Sequence, residues 1–254
     1  MDNKLIQPFL KNDKAMLLAY DHGFEIGPEA LPDESINPEY ILNLAVKGGY
    51  TGIILQKGIA ERYYTKTDYQ KKIPLILKIN GKTNVSPNKD PLSSLNCSVE
   101  HAKELGAKAV GYTIYLGSSQ EPKMLTEFGQ IQEKAHQLNM AAIAWTYLRG
   151  SSIEDEYDPK LIMYAARVGL ELGADMIKIK YSGSVESFRK TVQAAGKTKV
   201  VLSGGPKTEE GGFLEMIESV MKAGATGVAV GRNIFQHEDP LLMTDKVKKI
   251  IFNN

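Results

Sequence analysis

Apolar residues fall along this chain in short, nearly continuous runs, separated by longer stretches in which they recur every three or four positions. Eight runs predict strands, at 16–20, 52–56, 75–79, 109–114, 141–145, 176–180, 200–202 and 228–230. Few polar residues interrupt them, which is the pattern of strands covered on both faces in a parallel sheet. The stretches between them predict helices. The clearest carries Met124, Phe128, Ile131, Ala135 and Leu138, spaced by four and three so that all lie on one face.

The junctions repeat as well. VKGGYTGIILQ from Val46, ELGAKAVGYTI from Glu104, ELGADMIKIKY from Glu171 and KAGATGVAVGR from Lys222 each end an amphipathic stretch in glycine and begin a strand within a few residues. Glycine is the residue suited to the left-handed position just past a helix. Helix starts are marked by Asn37-Pro38, Asp158-Pro159 and Asp239-Pro240, each an N-cap side chain before a proline fitted to the first helical turn. Ser118 and Glu121 have capping-box spacing. Eight alternating units in 254 residues predict one closed (β/α)8 TIM barrel, a fold of ~250 residues, with residues 1–254 as a single domain. The segment 81–96, with Pro87 and Pro91, is a long connection that reads as a functional loop.

Composition narrows the function. With 31 Lys+Arg against 30 Asp+Glu the net charge is +1, so no global field draws nucleic acid or an anionic membrane. An anionic ligand must be held by local groups. The 23 glycines and 11 prolines stay well below the ~25–30% of low-complexity chains. A lone Cys97 offers neither a disulfide within the chain nor zinc spacing, and the first residues contain no apolar core for a signal peptide. The most apolar stretch, 140–148, is about half of the ~18 residues that span a bilayer. These features predict a cytoplasmic protein without membrane or nucleic-acid partners.

In a barrel the chemistry should collect where strands end, and the unusual residues do so. Strand one ends in Tyr20-Asp21-His22-Gly23, strand five in Trp145-Thr146-Tyr147-Leu148-Arg149, and strand six in Lys178-Ile179-Lys180-Tyr181. Strand periodicity places Lys178 and Lys180 on the face opposite Ile177 and Ile179, looking into the barrel. A desolvated lysine near a second cation is an imine-forming candidate; a pair of lysines can equally bind an anion. SGGPKT after strand seven and VGRN after strand eight have the form of a barrel phosphate site, in which glycines let backbone N–H groups approach an anion and Arg232 adds charge, although glycines also serve tight turns. Tyr147 reads as a proton donor or a core aromatic, and Asp21 as a proton shuttle or a lysine partner. His22 reads as a hydrogen-bonding group. The histidines show no metal-ligand spacing.

These segments resemble the archaeal-type class I fructose-1,6-bisphosphate aldolases, metal-independent Schiff-base (β/α)8 enzymes. The resemblance runs from LLAYDHGFEIGP through ILQKGIAERYY, LILKINGKT, NCSVE, GYTIYLGS, AWTYLRG, YAARVGLELGAD, IKIKYSG and LSGGPKT to VAVGRN, in the family's order. It implies that Lys178 forms the imine with the C2 ketone, that Tyr147 takes the C4 hydroxyl proton, and that Asp21 assists proton transfer. It implies substrate contacts at Trp145, Arg149, His22, Ser203, Gly204, Gly205, Gly231 and Arg232. It further implies phosphorylated sugar substrates, no cofactor or metal, and a homo-oligomer, commonly a ring-based decamer.

Two positions depart from the pattern. Ile26 stands where many members carry a second histidine, which leaves open a ligand contact there, and Leu148 stands where proline is common. Three other activities share parts of this signature: 2-amino-3,7-dideoxyheptulosonate synthase of the same aldolase group, a phosphosugar isomerase, and a noncatalytic sugar-phosphate binding barrel. Trp145 and the Tyr112-Thr113-Ile114-Tyr115 segment, which the heptulosonate enzymes lack, favour the sugar bisphosphate enzyme.

Overall fold

The computed structural model of the chain describes residues 4–85 and 88–252. Eight parallel strands close on themselves: β1 (Ala15–Tyr20), β2 (Gly52–Gln56), β3 (Leu75–Lys78), β4 (Ala109–Leu116), β5 (Ala141–Leu148), β6 (Met176–Ile179), β7 (Lys199–Ser203) and β8 (Gly227–Val230). Each pairs with its sequence neighbours, and β8 returns to β1. The expected TIM barrel is therefore present. The connection after β3 holds a short antiparallel pairing of Asn80–Gly81 with Ser94–Leu95, and residues 86 and 87 within the predicted functional loop lie outside the described residues.

The junction chemistry explains the closure. Gly49, Gly106, Gly173 and Gly224, the four glycines of the repeated segments, have φ between 70° and 96°, a conformation that costs glycine nothing. The device recurs with asparagine at Asn139, φ 54°. At the helix starts, Asn37 accepts from Glu39 N, Asp158 from Lys160 N and Leu161 N, and Asp239 from Leu242 N. Ser118 and Glu121 differ from a reciprocal capping box. The Ser118 hydroxyl accepts from Gln120 N, while Glu121 reaches back one residue further to Gly117 N at 2.6 Å.

Strand alternation sorts the core into two parts. Leu17, Ile54, Ile76, Ile143, Trp145, Met176 and Val201 fill the barrel interior, which Ile6 and Phe9 close from below. Outward positions such as Val110, Tyr112 and Ile177 meet helix residues such as Phe128, Ile162 and Phe188. β4 and β5 run further than their apolar runs suggest, to Leu116 and Leu148. Tyr147 is consequently held on a strand opposite Tyr115, and Trp145 lies opposite Lys178.

The Trp145 indole lies over Gly111, where an added Cβ would fall 1.9 Å from the ring. Gly111→Ala should therefore cost about 1–3 kcal/mol in denaturant unfolding, the usual scale of overpacking. Gly129→Ala, on a helix with open space around it, should be neutral or gain up to ~1 kcal/mol. Equal stability of the two variants would show that the indole is free to swing aside.

Candidate active site

The C-terminal ends of the strands surround one cavity of about 700 Å³. Asp21, His22, Trp145, Tyr147, Arg149, Lys178, Ser203, Gly204, Gly205, Gly231 and Arg232 all line it, so every site residue expected from the sequence converges there. Its floor is the last inward layer of the barrel.

Lys178 projects from β6 into that floor and is 5% exposed, with its Nζ 5.2 Å from the centre of the Trp145 ring. Burial pushes its pKa down and the Arg232 charge adds to this, against the opposing pull of Asp21 and Glu25. Asp21, directly after β1, is also buried. Burial alone would raise its carboxyl, but the charges of Lys178 and Lys78 hold it below the usual carboxylate value. His22 Nδ1 stands 3.7 Å from Asp21, and its ring meets Phe235 edge-on at 5.7 Å. Burial lowers the imidazole to about 4, so at neutral pH His22 is an uncharged hydrogen-bonding group. The Tyr147 hydroxyl lies 3.1 Å from Ser203 Oγ, and burial raises its pKa, which keeps the phenol protonated at neutral pH.

One end of the cavity is suited to an anion. The loop after β7 is clasped by Asn233, whose Nδ2 donates to the carbonyls of Gly204 and Pro206, both at 2.9 Å, while its Oδ1 accepts from Thr208 N. Two carbonyls that would repel an anion are thereby occupied. Arg232 donates to the Gly205 carbonyl at 3.2 Å and brings a positive charge to the cavity wall. Among the described residues, no three His, Cys, Asp or Glu side chains are grouped as metal ligands.

The DeoC/LacD family aldolase model matches residues 15–237. The chain belongs to this family. The aldolase is 46% identical over 255 aligned positions to the class 1 fructose-bisphosphate aldolase of Thermoproteus tenax, covering 99% of this chain and 95% of that protein. It superposes on a Schiff-base-forming fructose-1,6-bisphosphate aldolase with a TM-score of 0.94 at 45% identity, covering 99% of both chains. A second structure, of an archaeal fructose-1,6-bisphosphate aldolase with its catalytic lysine bound to the carbinolamine intermediate, gives 0.92 at 44% identity over 98% of both chains.

Residues not singled out from the sequence also lie in or next to the cavity. Lys78, on β3, is fully buried, and its Nζ donates to Glu25 Oε1 and to the Asn80 carbonyl, both at 2.7 Å. A signal for it existed: a lysine in the apolar run LILKI shares the inward parity of Ile76. At the mouth, Lys82, Tyr115, Glu156 and Tyr157 line the cavity. Lys180 lies beyond the end of β6 and pairs with Glu156 at 2.6 Å, so the two lysines read as equivalent have separate surroundings.

The Asn233 clasp yields a measurable consequence. Asn233→Ala removes four hydrogen bonds around a buried side chain and should cost about 1–3 kcal/mol of stability. Calorimetric titration with inorganic phosphate should show weaker binding than in the parent. Parental phosphate affinity would dissociate the clasp from anion recognition.

Proposed function

We propose that this aldolase is a class I fructose-bisphosphate aldolase, which cleaves fructose 1,6-bisphosphate to dihydroxyacetone phosphate and glyceraldehyde 3-phosphate, and joins them, through an imine on Lys178. The observation that carries the assignment is the placement of Lys178. It is a buried amine with no hydrogen-bond partner among the described residues, between a carboxylate, a phenol and an anion-binding loop. An unperturbed lysine is neutral in only about one molecule in a few thousand at pH 7, and burial raises that fraction. Burial lowers the pKa of Lys180 as well, but Glu156 opposes that shift and occupies its Nζ at 2.6 Å, which makes it the poorer nucleophile.

The loop of Ser203, Gly204 and Gly205, with Gly231 and Arg232, binds the C1 phosphate and sets the C2 ketone against Lys178. As the amine attacks C2, its proton passes through Asp21 to the carbonyl oxygen and a carbinolamine forms. A phenol that begins protonated cannot start as a base. Tyr147 first gives its proton to the departing C2 hydroxyl, which leaves as water and yields an iminium. The phenolate, now beside a positive charge, then takes the C4 hydroxyl proton. The C3–C4 electrons move into the iminium, giving an enamine and free glyceraldehyde 3-phosphate. Protonation at C3 and attack by water release dihydroxyacetone phosphate and restore the amine. Trp145 and His22 pack the ketose beside the reacting carbons, and Arg149 faces the far phosphate.

The reading extends to the whole chain as one catalytic barrel, cytoplasmic and self-associating into a homo-oligomer, with phosphorylated sugars as its partners. No helix among the described residues is long and apolar enough to cross a membrane. The sister heptulosonate synthase is the less favoured reading, because Trp145 and Tyr115 both face the cavity.

Borohydride reduction in the presence of fructose 1,6-bisphosphate should leave a covalent adduct on Lys178. Lys178→Met and Lys178→Arg should both abolish it, since a guanidinium cannot form the imine. An adduct mapped to Lys180 would overturn the assignment. Tyr147→Phe should lower kcat by roughly 10²-fold or more and slow adduct formation with it, with thermal stability nearly unchanged. Near-parental cleavage by that variant would reduce Tyr147 to packing.

A further inference from the structure

The mouth of the cavity differs in construction from its phosphate loop. Lys82, Arg149 and Lys180 bring three cations to one rim. Burial lowers the pKa of both Lys82 and Lys180, and the charge of Arg149 adds to it in each case. Glu25, whose charge also acts on Lys82, is already bound to Lys78 at 2.7 Å, and Asp155 accepts from Tyr157 N at 2.8 Å. Glu156 meets the cations directly. Its Oε1 lies 2.6 Å from Lys180 Nζ and its Oε2 3.8 Å from Arg149 Nη2, so one carboxylate bridges both.

That bridge sits on a loop fixed at both ends. Asp90 Oδ1 accepts from Ser151 N, Ser151 Oγ and Ser119 N, each at 3.0 Å, and Asp158 caps the helix that follows. Between these anchors the Glu156 side chain is 37% exposed, so solvent already reaches the carboxylate. A phosphate monoester presents more charge than a carboxylate, about −1.5 to −2 at pH 7, and a similar fork of oxygens. It can therefore take the place of Glu156 between the same two cations.

We propose that Glu156 is a built-in competitor for the second phosphate of the substrate: its carboxylate holds Lys180 and Arg149 until that phosphate displaces it, and it thereby sets the preference between doubly and singly phosphorylated ketoses. The proposal rests on the aldolase reading of this cavity. A ketose phosphorylated only at C1 has nothing to exchange for Glu156 and leaves the bridge intact. The bisphosphate must break a half-exposed ion pair before it gains its own.

Steady-state cleavage of fructose 1,6-bisphosphate and of fructose 1-phosphate by the parent, Glu156→Gln and Glu154→Gln tests this, with borohydride trapping of each protein. Glu156→Gln should lower the KM for the bisphosphate by about two- to fivefold, the equivalent of a half-exposed pair, and leave the KM for fructose 1-phosphate and both kcat values near parental. Glu154→Gln removes the same charge two residues away, from a side chain outside this cavity, and should change neither KM. An unchanged or raised KM for the bisphosphate in Glu156→Gln would overturn the proposal. So would an equal fall for both substrates, or the same effect from Glu154→Gln. Absence of a trapped adduct in the parent would instead defeat the aldolase reading itself.

Discussion

The active centre depends on removing one amine from water without giving it a partner that would keep it charged. Lys178 and Lys78 stand 5.2 and 5.9 Å from the same indole, and both are buried. Lys78 is satisfied by Glu25 and by a backbone carbonyl. Lys178 has only the longer-range fields of Asp21 and Glu25, opposed by Arg232 and by burial. Two lysines of nearly equal depth thus differ in that one is hydrogen-bonded and the other is not. The barrel supplies the low dielectric, and its alternation of inward and outward positions decides which side chains share it.

The two ends of the cavity are built by different means. At β7 and β8 the backbone does most of the work: Asn233 fixes a glycine-rich loop, and the chain geometry there is determined by the barrel itself. At the mouth the groups are long, half-exposed side chains on connections, balanced by a carboxylate of this chain. A rigid end suits the phosphate next to the reacting ketone, where an error of position would move the C2 carbon relative to the amine. A yielding end suits the part of the substrate that departs as a separate product.

Most of the barrel was legible because its signals are local. Strand period, glycine at the junctions and capping residues before proline each act within a few residues, and the structure keeps them at Gly49, Gly173, Asn37 and Asp158. The lysine on β6 was legible for the same reason, since parity alone separates Lys178 from Ile177. Lys180 lies past the end of β6 at Ile179 but still lines the same cavity, nearer its mouth, where it pairs with Glu156. Glu156, Tyr157 and Lys82 lie on connections whose course depends on contacts between segments remote in sequence, such as Asp90 with Ser151, and no spacing within the chain announces them. The Lys78–Glu25 pair spans 53 residues, and each member alone reads as an ordinary charge.

The place of Trp145 gives the protein an optical property. It is the only tryptophan among 254 residues, and it is buried over Gly111 with the Lys178 amine 5.2 Å from its ring. The ultraviolet emission of the whole chain above that of tyrosine therefore comes from a single chromophore beside the amine proposed to react. On the proposed mechanism, a positive charge appears beside the excited indole when that nitrogen becomes an iminium and vanishes when it becomes an enamine. The covalent cycle would then be written into the fluorescence of one side chain, without any label.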